Sequence, residues 1–96
     1  MPGWVRKGDV NSVGAPVIGA VAQTVIVNGR AAALKGSIIQ THVPPPPPVG
    51  PHVFPTIVQG ASTVIAEGRN AAFNGALESC GHSQAQASSD VIIPGG

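Results

Sequence analysis

Apolar and polar positions along this chain alternate over short distances and never sustain a helical period. The apolar runs are β-branched and brief, as in Gln23-Thr24-Val25-Ile26-Val27 and Ser62-Thr63-Val64-Ile65-Ala66. Gly, Pro and Asn close each of them, the pattern of strands bounded by tight turns. No stretch of ten or more residues combines a 3.6-residue period with freedom from Gly and Pro, so the pattern predicts an all-β chain. Strands are expected at Trp4–Lys7, Gln23–Val27, Arg30–Lys35, Ser37–Thr41, Ser62–Ala66 and Arg69–Asn74. Between Gly14 and Gly19 the chain is expected to be extended but broken. Asn28-Gly29 lies between two apolar runs and is a strong hairpin signal, because both residues tolerate positive φ. Glu67-Gly68 occupies the matching place in the second half.

The two halves are copies. With Gly29 placed on Gly68, Pro16 falls on Pro55, Ile18 on Ile57 and Ala22 on Ala61. Thr24-Val25-Ile26 falls on Thr63-Val64-Ile65, Ala32-Ala33 on Ala71-Ala72, and Gly36 on Gly75. A third, truncated copy follows, in which Ser89-Asp90-Val91-Ile92-Ile93 aligns with Ser62–Ala66 and the return strand is missing. Two and a half copies are too few for a propeller or a solenoid, and one such hairpin is only marginally stable alone. The copies are expected to pack on one another about a pseudo-threefold axis, as one domain. Repeat 1 covers about 8–41, a connector 42–52, repeat 2 about 53–79 and the partial repeat 3 about 80–96.

Composition narrows the function classes. The 96 residues include 43% apolar residues but only three aromatics, Trp4, Phe54 and Phe73, so the core is thin and calls for a staple or a partner. Charged residues make up 9% with a net charge of +1, against about a quarter in ordinary soluble domains. A surface this poor in charge suits cover by another protein. Five scattered cations, Arg6, Lys7, Arg30, Lys35 and Arg69, make no nucleic-acid footprint. No apolar run approaches the length of a membrane span, and the first residues do not read as a signal peptide. The single Cys80 excludes an internal disulfide. Trp4 and Phe54 are expected in the core or at a contact surface, and Asp9 and Glu78 in turns or at the surface.

The connector holds Pro44–Pro48, bracketed by His42 and His52. A proline run forms a stiff polyproline II segment of about 3.1 Å per residue. It can serve as a strut or as a ligand for an aromatic groove. His42, His52, Cys80 and His82 all lie in connectors, none in a hairpin. Connectors of repeats about one axis converge, and three imidazoles with one thiolate make the closed four-coordinate set of structural zinc. The spacing matches no common zinc finger, and the alternative is that surface histidines and a buried thiol merely share a small domain. A Cys80–His82 nucleophile pair lacks an identifiable orienting group, which argues against a hydrolase.

Strand, turn, Ala-Ala pair, repeated with His and Cys in the connectors, resembles the PAAR-repeat family, whose members cap the spikes of type VI secretion systems, phage tails and related contractile particles. The family motif Asn-Gly-Lys-Pro-Ala-Ala-Arg-x-Gly-Asp is matched by Asn28-Gly29-Arg30-Ala31-Ala32-Ala33-Leu34-Lys35-Gly36-Ser37. It is matched again by Glu67-Gly68-Arg69-Asn70-Ala71-Ala72-Phe73-Asn74-Gly75-Ala76. Arg6-Lys7-Gly8-Asp9 is similar to the family's opening Arg-x-Gly-Asp, and Cys80-Gly81 to its late Cys-Gly. The Pro and Arg of the motif are replaced in both copies. Val13-Gly14-Ala15 stands where the family has His-Gly-Gly, a usual ligand position, and His82 is the natural substitute.

The resemblance implies a small cone of short strands with Zn²⁺ (or iron) at its tip, held by His42, His52, Cys80 and His82. It implies a broad base seated on a trimeric β-helical spike, one tip per trimer. The role would be mechanical and not enzymatic: the tip pierces a target envelope without stable membrane insertion. Assembly would occur in the cytoplasm, followed by release outside or into a target cell, or retention in a virion tail. The reading of another class is a small zinc-binding adaptor that presents Pro44–Pro48. With His42 and His52 on one ion, the strut would arch away from the metal.

Overall fold

A computed structural model describes residues 2–41 and 54–94. These contain no helix and six short strands in three antiparallel pairs. The first pair joins β1 (Val17–Gly19) to β4 (Ile38–Ile39), with a register irregularity between Val17 and Gly19. The others are hairpins, β2 (Ile26–Val27) with β3 (Arg30–Ala31), and β5 (Ile65–Ala66) with β6 (Arg69–Asn70). Asn28 and Gly29 have φ of 53° and 78°, and Glu67 and Gly68 have 52° and 78°. Two consecutive positive φ values make the tight turn whose twist matches the flanking strands. Glu67 adopts it without the amide of Asn28.

The strands are shorter than their sequences predict because each one changes partner. Arg30–Ala31 pairs within its hairpin, and the chain then bridges to a different segment, Ala32 with Arg6. Leu34 bridges to Ala71, and Phe73 to Trp4. Three segments, around Val5, Ala33 and Ala72, therefore contact one another in cyclic order. Their backbones close the cycle. Val5 N–H donates to Ala72 C=O (2.9 Å), Ala72 N–H to Ala33 C=O (3.1 Å), and Ala33 N–H to Val5 C=O (2.8 Å). All three residues are fully buried. Ala32-Ala33 and Ala71-Ala72 bring small side chains to this contact in two of the segments, and Trp4-Val5 holds the matched places in the third. Trp4 adds its indole N–H to the same Ala33 carbonyl at 2.9 Å.

The return strand missing after Ile93 comes from the other end of the chain. In the hairpins Ala32 N–H donates to Val25 (3.0 Å) and Ala71 N–H to Val64 (2.9 Å), and Trp4 N–H donates to Val91 at 2.9 Å in the same way. The next bonds also correspond: Ala22 to Ala32, Ala61 to Ala71 and Ser88 to Trp4, at 2.9, 2.8 and 3.0 Å. Beyond the ring each segment makes the same tight turn. Asp9, Ser37 and Ala76 donate N–H to Arg6, Leu34 and Phe73, each at 2.9 Å. Gly8, Gly36 and Gly75 sit third in these turns with φ of 91°, 95° and 98°, where a residue with a side chain is strained.

Two expectations that left alternatives open are resolved. Phe54 is 58% exposed and takes no part in the core, whereas Trp4 is buried. Asp9 and Glu78 both stand in turns, and both are buried there. Asp9 is compensated by cations: its carboxylate accepts from Arg6 Nε (2.8 Å), Arg6 Nη2 (3.0 Å) and Arg30 Nη2 (2.9 Å). The Arg-x-Gly-Asp sequence is thus a turn whose ends are joined by an ion pair. The expectation that Pro44–Pro48 arches between His42 and His52 falls outside the described residues.

Polar clamps join one hairpin turn to the next segment. The Asn28 amide meets Arg6 (3.1 Å), Asp90 (3.3 Å) and the Ser88 hydroxyl. The Glu67 carboxylate accepts from Gln23 N–H, Thr24 N–H and the Thr24 hydroxyl, each at 2.7–2.8 Å at its shortest. These bonds, the Thr24 hydroxyl first, hold the Glu67 pKa below its ordinary 4.5. A depressed folded-state pKa gives stability that is present above the unfolded pKa and is lost as pH falls through the folded value. Stability measured by denaturant titration is expected to decline from about pH 4.5 downward. The Glu67→Gln variant, starting lower, should decline less over that window. Equal slopes for the two proteins would contradict the clamp.

Candidate functional site

The connector end of the chain carries the chemistry. After the ring and the tight turn, the third segment continues through Leu77 and Glu78 into Ser79-Cys80-Gly81-His82. Glu78 opens a turn that runs through Ser79 and Cys80. Gly81, at φ of 92°, then reverses the backbone. Gly81 N–H donates to Glu78 C=O (3.0 Å) and Glu78 N–H to His82 C=O (2.8 Å), closing a small loop. The loop gathers the three side chains. Cys80 Sγ lies 3.4 Å from Glu78 Oε1 and 3.5 Å from His82 Nδ1. One donor atom from each of the three falls within 4.8 Å of the others.

Glu78 is fixed from behind. Asn11 Nδ2 donates to its Oε1 at 3.0 Å, and Gln84 Nε2 donates to its Oε2. Asn11, Glu78 and Gln84 are all buried, each about 2% exposed. In the other two segments the residues matching Glu78 are Asn11 and Ile39, for Ile57 N–H donates to Ser37 as Gln84 N–H does to Ala76. Ile39 is fully buried there. Packing alone is therefore satisfied by an aliphatic side chain, and Asn11 with Glu78 is a polar pair set into one side of the cluster.

Of the four predicted ligands, the structure brings Cys80 and His82 together. His42 and His52 lie outside the described residues. Glu78 was not among the candidates. The available signal was the close spacing Glu78-x-Cys80-Gly81-His82, three donors within five residues around a turn-forming glycine. The three donors could hold a metal ion. An ion with bonds of about 2.3 Å to sulfur and 2.0–2.2 Å to nitrogen or oxygen spaces a tetrahedral sulfur–nitrogen or sulfur–oxygen pair by roughly 3.5–3.7 Å, close to the two separations from Sγ.

The hairpins carry a matched set of aliphatic side chains. Val25, Val64 and Val91, matched by the hydrogen bonds they accept, are partly buried against the core. Their neighbours Ile26, Ile65 and Ile92 point outward and are 59%, 57% and 46% exposed.

A family model described as "PAAR motif" matches residues 7–86, most of the chain. Comparison with curated proteins gives no match.

Burial pushes the Cys80 thiol above its ordinary 9.0, with the neighbouring Glu78 carboxylate adding to the rise and the His82 backbone opposing it. The thiolate is the reactive form. In metal-free protein, alkylation of Cys80 by iodoacetamide is expected to stay slow through neutral pH. Its rate should climb only at pH values above those of a free cysteine. A half-maximal rate at or below the free-cysteine value would contradict the described surroundings.

Proposed function

The chain belongs to the PAAR-motif family, and on that footing we propose that it is the tip of a contractile injection machine. It caps a trimeric β-helical spike, one chain per trimer, and is stiffened by a bound metal. Family membership fits a spike-tip protein of contractile injection systems in general, a structural and not an enzymatic family.

One observation carries the docking part of the reading. Ile26, Ile65 and Ile92 occupy matched places in three hairpin-like units and are all largely exposed. Exposing three large aliphatic side chains in this arrangement is costly for an isolated protein, since each would gain about 1.5–3 kcal/mol on full burial. A partner built from three identical chains offers three identical apolar acceptors. The cyclic order of the Val5, Ala33 and Ala72 segments supports an approximate threefold arrangement to match it.

The metal part rests on the cluster at the connector end. Cys80 and His82 would hold the ion, with His42 and His52 as the further ligands that the family resemblance implies. Zn²⁺ is the ion this mixture of soft and borderline donors favours, with iron as the other candidate. A structural ion contributes folding energy directly, where the small side chains around the ring bury little area each. The tip would assemble on its spike in the cytoplasm and leave with it. On sheath contraction it would meet the target envelope first and pass through without lasting insertion.

Substituting Asp at Ile26, Ile65 and Ile92 together is expected to abolish co-purification with the trimeric spike encoded by the same host, while circular dichroism and melting stay near those of the parent. Single substitutions should weaken binding by at least tenfold each, from loss of burial and gain of an unpaired charge. Undiminished binding by the triple variant would refute this docking surface.

A further inference from the structure

We propose that Glu78 is itself a ligand of the metal, so that the ion in this chain is bound through Glu78 oxygen, Cys80 sulfur and His82 nitrogen. This rests on the metal reading above and departs from the all-His/Cys set implied by the family resemblance.

The first observation is the donor geometry. Oε1 of Glu78 stands 3.4 Å from Cys80 Sγ, and Nδ1 of His82 stands 3.5 Å from the same sulfur. Both lie close to the sulfur–oxygen and sulfur–nitrogen edges of a tetrahedron around one ion with ordinary bond lengths, roughly 3.5–3.7 Å. Without the ion, the shorter separation is spanned by a hydrogen bond from the Cys80 thiol to Glu78 Oε1, which the ion would replace.

The second observation is charge. Glu78 is about 2% exposed. Among the described residues the side-chain ion pairs are those of Asp9 with Arg6 and Arg30, and Glu78 has no Lys or Arg partner. Its two hydrogen-bond donors, Asn11 and Gln84, are neutral amides. A buried carboxylate without a cation is costly, and the cost grows once Cys80 becomes the thiolate that a metal requires. Two anions would then face each other across 3.4 Å with no proton between them. A divalent cation placed between them removes both penalties.

The third observation is the support behind the carboxylate. Asn11 and Gln84 reach one oxygen each, as partners that orient a metal-ligating carboxylate do. The Gln84 Oε1 atom is buried with no partner among the described residues. That side chain therefore spends its donor on Glu78 and leaves its own acceptor unsatisfied. In the matching places of the other segments Ile39 and Val17 or Ile57 are simply apolar, so the polar trio has been introduced on the one side that carries Cys80 and His82.

The test uses Co²⁺ as the probe metal with the full chain, read by absorption spectroscopy and by competition with a chromophoric chelator. The parent protein is expected to show a thiolate-to-cobalt charge-transfer band that Cys80→Ser abolishes. Glu78→Gln should keep that band, alter the ligand-field bands and weaken affinity at least tenfold. Because a buried substitution can unsettle the fold, X-ray absorption on the zinc-loaded parent provides a second measurement. It should fit one sulfur and a first shell with at least one oxygen whose carboxylate carbon scatters beyond it. Unchanged ligand-field bands in folded Glu78→Gln, or a parent shell fitted by sulfur and imidazole alone, would overturn the Glu78 assignment and leave the metal site standing. Absence of any thiolate band in the parent would overturn the metal reading itself, and this inference with it.

Discussion

Three backbone hydrogen bonds, from Val5 to Ala72, from Ala72 to Ala33 and from Ala33 to Val5, set the terms for everything else in this chain. Each segment both donates and accepts, so no one of the three can be withdrawn without leaving a buried N–H and a buried C=O unpaired, at about 1–3 kcal/mol for each group. Two of the three segments bring alanine to the ring, at Ala32, Ala33, Ala71 and Ala72, and the third brings Trp4 and Val5. The four alanines thin the core. Stability is recovered through polar links at the margins: the Arg6–Asp9–Arg30 pair, the Glu67 grip on Thr24 and the Asn28 contacts with Arg6, Ser88 and Asp90.

The ring also separates two ends with different chemistry. Each segment enters it from a hairpin and leaves it toward a connector. The hairpin end presents isoleucine three times over, beside the polar clamps of Asn28 and Glu67. The connector end is where identical side chains are not required, and there the segments diverge. Asn11, Ile39 and Glu78 hold one matched position, and Val17, Ile57 and Gln84 another. The divergence is not random. Every polar substitution among those residues lies toward Cys80 and His82. The two buried carboxylates show the contrast plainly. Asp9 meets two guanidinium groups, whereas Glu78 meets two neutral amides, a thiol and, through that thiol, an imidazole.

Much of this was legible in the sequence. The hairpins at Asn28-Gly29 and Glu67-Gly68 follow from local turn chemistry, and the all-β class from the absence of any helical period. The Ala-Ala pairs could be placed at a close contact because nothing else explains small residues twice at the same spot. What escaped was long-range pairing. Ile38–Ile39 pairs with Val17–Gly19, a stretch whose glycines and proline read as broken chain, because the partner lies about twenty residues away. Trp4 completes the unit of Val91 from the far end of the sequence, an encounter that no local pattern encodes. The sequence places Glu78 in a turn or at the surface, and its burial is not legible there because carboxylates are usually exposed. That burial comes with the Asn11 and Gln84 side chains closing over it. Hydrophobicity alone leaves Phe54 between the core and a contact surface, and it is exposed.

The central claim is that the three segments form one cooperative ring with no independent member. Native-state hydrogen exchange at the amides of Val5, Ala33 and Ala72 tests it most directly. The account predicts that all three exchange only through global unfolding, with closely similar opening free energies equal to that of the whole domain. Rapid exchange at Val5 while Ala33 and Ala72 remain protected would contradict it, since the N-terminal segment would then be an accessory to a two-hairpin core and not a member of the ring.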